Sequence, residues 1–314
     1  MGIRAIPARL RALTTALALT AVAAAGGTAA AAVTAGGTAA AATGGSPAPG
    51  IGVVHTLSPA AQQATRAFWT PPHRATATPE HAGSYAPETP APPPGTPTAT
   101  LFNGVPTVGT LFFTTGTQRH FCTASVVNSP AGNLILTAAH CVYGSTYASN
   151  IEFVPEYHNG LQPYGAWVVT AITVATGWQQ SQDPDLDFAF LSVAPPAGTT
   201  RPIQFVTGGL RLGIDRGYTH HIEVIGYNNT DNAPVGCATK SFEFEATQME
   251  FYCHDYWDGT SGGPWIVGYN AHHGTGTVFG VIGGYEQGGN YEWASYSAYF
   301  GRPALQLFLL ASRA

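Results

Sequence analysis

Charge is what this sequence has least of. Lysine, arginine, aspartate and glutamate make up 9% of its 314 residues, against about 25% in an average soluble domain. The net charge is −5 and the isoelectric point is near 6.1. Nothing here builds a basic face, which argues against a nucleic-acid partner. Long apolar runs are absent beyond the N-terminus, so no later segment is long enough to span a bilayer as a helix. Metal-ligand spacing is lacking too. His220-His221 and His272-His273 are adjacent pairs without partner ligands nearby. Asp183-Pro184-Asp185-Leu186-Asp187 opens like a calcium loop. However, Phe188 stands where the loop needs glycine, and Ala194 stands where it needs a bidentate glutamate. No metal and no cofactor is expected. Helical periodicity is missing until residues 303–312, where Leu305, Leu307, Leu309 and Leu310 suggest a short terminal helix.

What is present starts with an export signal. Arg4, Arg9 and Arg11 precede an alanine-rich apolar run, and small residues continue to Ala32. That layout reads as a secretory signal peptide over residues 1–32. It predicts a secreted, extracellular protein that leaves the membrane once the signal is cut. Residues 33–98 are mostly alanine, threonine, proline and glycine, with Ala91-Pro92-Pro93-Pro94-Gly95-Thr96-Pro97 as the clearest stretch. With so little aliphatic bulk, such a segment does not offset its ordering entropy. It is expected to be a disordered propeptide or linker. Four cysteines follow it, Cys122, Cys141, Cys237 and Cys253. Behind an export signal they read as two disulfides, with three possible pairings.

From about residue 99 the texture changes, and residues 99–314 are expected to fold. Strand-like runs appear at residues 108–113, 118–127, 134–136, 166–174, 188–193, 221–225, 241–251 and 277–282, with glycine and proline between them. Many short strands with turn signals argue for an all-β barrel or sandwich.

Within that frame, one segment has a chemical look. Asp258-Gly259-Thr260-Ser261-Gly262-Gly263-Pro264 sets a serine among glycines. Glycine tolerates the positive φ of a tight turn and lets a carbonyl approach the hydroxyl. The backbone N–H groups of Gly259 and Ser261 are then expected to form an oxyanion hole. A serine hydroxyl needs a base and a group to orient that base. Thr137-Ala138-Ala139-His140-Cys141 supplies a histidine at the end of an apolar run. Asp187 stands where a polar turn passes into the run Phe188-Ala189-Phe190-Leu191. Asp183 and Asp185 are alternatives for the same role. The order is histidine, aspartate, serine.

These three motifs, in this order, resemble the chymotrypsin/trypsin-like serine peptidases, and most closely the compact secreted bacterial branch that includes glutamyl endopeptidases. The resemblance spans roughly residues 105–305. It implies two six-stranded antiparallel β-barrels, over about 105–198 and 199–300, with residues 195–200 as the crossover and the site in the cleft between them. It implies His140, Asp187 and Ser261 as catalytic residues, a protein or peptide substrate, a monomer, and pairings Cys122–Cys141 and Cys237–Cys253. It also implies a specificity pocket involving Asp255, Gly283 and Tyr285. Asp255 lies six residues before Ser261 and would select a basic side chain. A small, apolar or acidic preference stays open, because Trp257 stands where the trypsin-like enzymes have a cysteine and Tyr285 stands where they have a glycine. Thr260 replaces the aspartate that pairs with the new N-terminal amine in the digestive enzymes. The expected activity is that of a secreted serine endopeptidase working through an acyl-enzyme. The alternative is an inactive homologue that binds a partner through the same cleft.

Overall fold

A computed structural model of the protein describes residues 50–80, 90–228 and 231–314. The expected signal peptide lies outside the described residues. The chain is mostly strand. β1 (Gly52–Thr56), α1 (Pro59–Phe68), α2 (Pro71–Ala75), β2 (Thr78–Pro79) and β3 (Thr100–Leu101) come before the first large sheet. That sheet contains β4 (Val108–Thr115), β5 (Gln118–Val127), β6 (Leu134–Thr137), β7 (Ser149–Pro155), β8 (Trp167–Ala175) and β9 (Ala189–Ala194), with α3 (Thr176–Ser181) between its last two strands. The pairings run β4-β5-β6-β9-β8-β7, and β7 returns to β4, so six antiparallel strands close into a barrel. Closure leaves no free edge in this ring. Gly116 (φ +61°) makes the tight turn from β4 to β5. A side chain at Gly109 would put a Cβ 2.3 Å from the Val154 carbonyl oxygen, so only glycine lets β4 lie this close to β7.

The chain then passes through α4 (Gln204–Thr207) and β10 (Arg211–Leu212) into a second sheet. Its strands are β11 (His221–Tyr227), β12 (Pro234–Glu245), β13 (Gln248–Tyr252), β14 (Pro264–Asn270), β15 (Thr275–Val281) and β16 (Ala294–Ala298). They pair in the order β15-β14-β11-β12-β13-β16. The two outer strands meet through the Val281 N–H on Ser297 Oγ (3.0 Å), and just beyond β15 the Gly283 N–H binds the Tyr296 carbonyl (3.0 Å). The second six-stranded unit, which the resemblance implied, therefore closes through isolated bonds between its outer strands. The run expected as one strand over 241–251 is a hairpin that turns after Glu245, with Glu245 opposite Gln248. No glycine or proline marks that turn, which is why it was not legible. Strands β7, β14 and β16 are likewise additional to those expected.

α5 (Arg302–Ala311) ends the fold close to the expected bounds. It buries Ala304, Leu307 and Ala311, while Leu305 and Leu309 face outward. The buried positions follow an i, i+3, i+7 stripe, the face a helix presents to a core. Phe308 meets Phe190 of β9 edge-on at 5.6 Å. Among the described residues, no helix is long and apolar enough to cross a membrane. Two disulfides are present, Cys122–Cys141 and Cys237–Cys253. Each contributes about 2–4 kcal/mol, chiefly by restricting the unfolded chain.

The N-terminal segment departs from expectation. Residues 50–80 are ordered, where the composition argued for disorder. β1 pairs antiparallel with β8 over its whole length. Ser58 caps α1 by accepting from the Ala61 N–H at 3.2 Å. Trp69 is buried and donates its indole N–H to the Asn150 carbonyl. Arg74 is buried and its guanidinium binds the Glu152 carboxylate on β7. Composition averaged over residues 33–98 hides these few anchoring side chains. Burial pushes the Glu152 carboxyl up, even against the opposing effect of Arg74. Desolvation thus outweighs attraction here, so the pair adds little net stability but fixes where the segment docks. Removing one partner leaves the other charge stranded. Arg74→Leu is therefore expected to lower the unfolding free energy by about 3–5 kcal/mol, and Arg74→Leu with Glu152→Leu to recover most of it. Urea denaturation of both variants checks this, and a loss below about 1 kcal/mol in the single variant would show that the pair does not anchor the segment.

Candidate active site

β6 brings an apolar run up to Thr137, and the chain turns at Ala138-Ala139 to present His140. The Cys122–Cys141 bridge ties this turn to β5. His140 is 7% exposed and Asp187 is fully buried. Asp187 Oδ2 accepts the His140 Nδ1–H at 2.8 Å, and Oδ1 accepts the His140 backbone N–H at 2.9 Å. Oδ2 also accepts the Gly284 N–H at 2.9 Å, from the loop that follows β15. The neighbouring aspartates are used elsewhere. Asp183 caps a single 3₁₀ turn by accepting the Asp185 N–H, and Asp185 accepts the Gln248 amide at 2.7 Å. Burial alone would lower the His140 pKa. The charge and hydrogen bond of Asp187, with the charge of Glu80, outweigh it and leave the imidazole above its ordinary 6.5. With Nδ1–H committed to the carboxylate, Nε2 is buried and has no hydrogen-bond partner.

Ser261 lies on the loop before β14. Gly259 (φ +96°) and Gly262 (φ +80°) flank it in the left-handed region. A Cβ at Gly259 would lie 2.5 Å from the Phe121 ring, and one at Gly262 would lie 2.2 Å from the Thr123 carbonyl oxygen. Both glycines are therefore required by conformation and by space. Thr123 on β5 clamps the loop from the other sheet. Its N–H donates to the Ser261 carbonyl (2.8 Å), its hydroxyl donates to the Gly259 carbonyl (3.0 Å), and that hydroxyl accepts the Tyr227 N–H (2.9 Å). Thr137, three residues before His140, donates its hydroxyl to the Thr123 carbonyl (2.8 Å). The serine loop and the histidine turn are thus set against each other through one threonine. Gly262 N–H bonds the Ile282 carbonyl (2.7 Å), and the Thr260 hydroxyl bonds the Trp257 carbonyl (2.8 Å). Ser261 itself is 4% exposed.

The residues expected to form a specificity pocket do not gather at Ser261. Asp255 is exposed and lines a separate cavity with Asn228, Asp231 and Trp257. Its φ of +69° and the hold of Asn228 on its carbonyl (2.8 Å) turn it away. Tyr285 is exposed and packs on Phe244 and Tyr296. Gly283 sits against Asp187, where a Cβ would come within 3.1 Å of Oδ2. The cavity that does border Ser261 is lined by Tyr256, Trp257, Asp258, Gln287, Tyr291 and Ser295, among others. Sequence reasoning also missed Thr123, Gly284 and Glu80. Glu80 donates its N–H to the Phe121 carbonyl (2.9 Å), and its carboxylate lies 3.4 Å from His120. No local pattern marks any of the three. The cluster of Cys122, Cys141 and His140 has a metal-like spacing, but both sulfurs are in the disulfide.

The trypsin family profile matches residues 98–300. No curated protein sequence matches the chain. Among solved structures it is similar to the protease Anisep from Arthrobacter nicotinovorans, at 24% identity and a TM-score of 0.62, over 69% of this chain and 100% of that one. It is also similar to AL20, a thermostable serine protease from an extremophilic microorganism. That alignment has 24% identity and a TM-score of 0.59, covering 67% of this chain and 98% of the other. A Glu endopeptidase in complex with MPD aligns at 17% identity and a TM-score of 0.55, over 70% and 99% of the two chains. At these identities the structures speak to the fold, which is chymotrypsin-like. With a family profile spanning more than half of its length, the chain belongs to the trypsin family.

Proposed function

We propose that the protein is a secreted serine endopeptidase that cleaves peptide bonds through Ser261, His140 and Asp187. The observation that carries this is the 2.8 Å bond from His140 Nδ1–H to the buried Asp187 carboxylate, in a chain of the trypsin family. That bond fixes the neutral tautomer with its lone pair on Nε2, the form a general base needs. In this reading Ser261 Oγ attacks the substrate carbonyl and passes its proton to His140 Nε2. The Gly259 and Ser261 N–H groups hold the oxyanion. The tetrahedral adduct collapses as His140 returns the proton to the leaving amine, leaving an acyl-enzyme on Ser261. Water, deprotonated by the same nitrogen, then releases the acid. Asp187 keeps its charge throughout and stabilises the imidazolium. Export rests on the signal-like residues 1–32 and removal of that segment. An inactive binding homologue is disfavoured, because all three side chains of the triad are retained.

A fluorophosphonate is expected to label Ser261 in the mature protein, as read by peptide mass spectrometry, and His140→Ala is expected to abolish the label. An unlabelled, folded sample would sink the peptidase reading. The same spectra give the N-terminus, which is expected beyond residue 32.

The raised His140 pKa has a definite sign. The base must be neutral, so kcat/KM falls as pH drops through that pKa, and the midpoint of the acid limb is expected above 6.5. In Asp187→Asn, burial becomes the dominant influence, so the midpoint moves to lower pH while kcat drops by about 10⁴-fold. A pH profile of both proteins checks this, and an acid limb that stays put in the variant would remove Asp187 from the proposed role.

A further inference from the structure

The cavity beside Ser261 is small. Its volume is about 20 Å³, against about 510 Å³ for the neighbouring cavity that takes Asp255. On the same measure the space at Ser261 is far narrower than its neighbour, which favours a short side chain.

Its walls explain the size. On one side run Tyr256 and Thr260. The Tyr256 hydroxyl is committed to the Val224 carbonyl at 2.7 Å, which locks the ring in place. On the other side the chain makes four consecutive positive-φ residues, Glu286 (+50°), Gln287 (+54°), Gly288 (+117°) and Gly289 (+118°). This wall lies flat on its neighbours. A Cβ at Gly288 would come within 2.9 Å of Ile282 Cγ2, and one at Gly289 within 2.6 Å of the Ala294 carbonyl oxygen. Gln287 is held in a left-handed conformation that disfavours a side chain, and it faces the cavity. Tyr291, stacked on Trp293 at 5.6 Å, also lines the cavity.

The lining chemistry narrows the choice further. Among the described residues, no lysine, arginine or histidine lines this cavity, and Asp258 is the one carboxylate that does. An acidic side chain would enter without a cation to meet it, and an unpaired charge is costly to desolvate. A basic side chain could meet Asp258, but it is far too long for the volume.

We infer that this cavity accepts a small uncharged side chain, of the alanine, glycine or serine class, on the acyl side of the scissile bond, and that Gln287 and Tyr291 set the limit. This rests on Ser261 being the nucleophile and names the substrate class of that site. The test uses peptidyl diphenyl phosphonates that are identical except for an alanyl, valyl, phenylalanyl, lysyl or glutamyl group beside phosphorus. The Ser261 oxygen displaces phenoxide from phosphorus, so a mass shift on the Ser261 peptide reads the rate directly. The alanyl probe is expected to react at least about tenfold faster than the phenylalanyl, lysyl and glutamyl probes. Gln287→Gly, which shortens the wall and suits its φ, is expected to raise the valyl rate relative to the alanyl rate. Equal rates across the panel, or a faster lysyl, glutamyl or phenylalanyl probe, overturn the inference. An unchanged valyl-to-alanyl ratio in the variant removes Gln287 from it. Fluorophosphonate, which carries no such side chain, separates the two levels. If it labels Ser261 while the alanyl probe does not react, the inference falls and the nucleophile stands. If it too fails, both fall together.

Discussion

A carboxylate with no access to water must find its donors inside the protein. Asp187 is in that position, fully buried between the two sheets. It takes three N–H groups, two from His140 and one from Gly284. Two belong to the turn after β6 in the first barrel, and the third belongs to the loop after β15 in the second sheet. Satisfying one buried charge thus specifies how the two halves of the chain meet. Gly283 belongs to the same constraint, since any side chain there would press on Asp187.

Thr123 performs the complementary task with neutral groups. It sits on the first barrel, yet three of its bonds go to the Ser261 loop and to Tyr227. The glycines of the serine loop at 259 and 262 supply conformation but no side chains, so the loop's own bonds, such as Thr260 to the Trp257 carbonyl, are few. The partner sheet supplies the rigidity. The position of Ser261, held from the opposite barrel, and the orientation of His140, held by a carboxylate in the seam, both depend on the packing of the two units.

The N-terminal segment extends the same logic outward. Its strand adds to β8, its tryptophan and arginine enter the first barrel, and β2 carries Glu80 to the edge of the site. An average over composition is the wrong measure for such a segment. A few well-placed large side chains anchor an otherwise thin stretch, and the strand ladder does the rest through backbone groups that composition does not report.

The three motifs, the all-β character, the terminal helix and the order histidine, aspartate, serine were all readable along the chain. Each is a local pattern, carried by glycine conformation, by alternation of apolar residues or by a short run of specific side chains. The choice of Asp187 over Asp183 and Asp185 was only half readable. Along the chain the three are near neighbours, and it is the fold that sets Asp187, and not the other two, against the imidazole. Asp255 was misplaced because counting back from Ser261 assumes one backbone path, while its positive φ and the bonds of Asn228 send it elsewhere. Thr123, Gly284 and Glu80 leave no trace in sequence, since they act across strands far apart along the chain. Sequence by itself determined which chemical groups are available and where the turns that present them fall. Only the tertiary structure decided which groups meet, because hydrogen bonds between buried partners depend on distances that no spacing along the chain encodes.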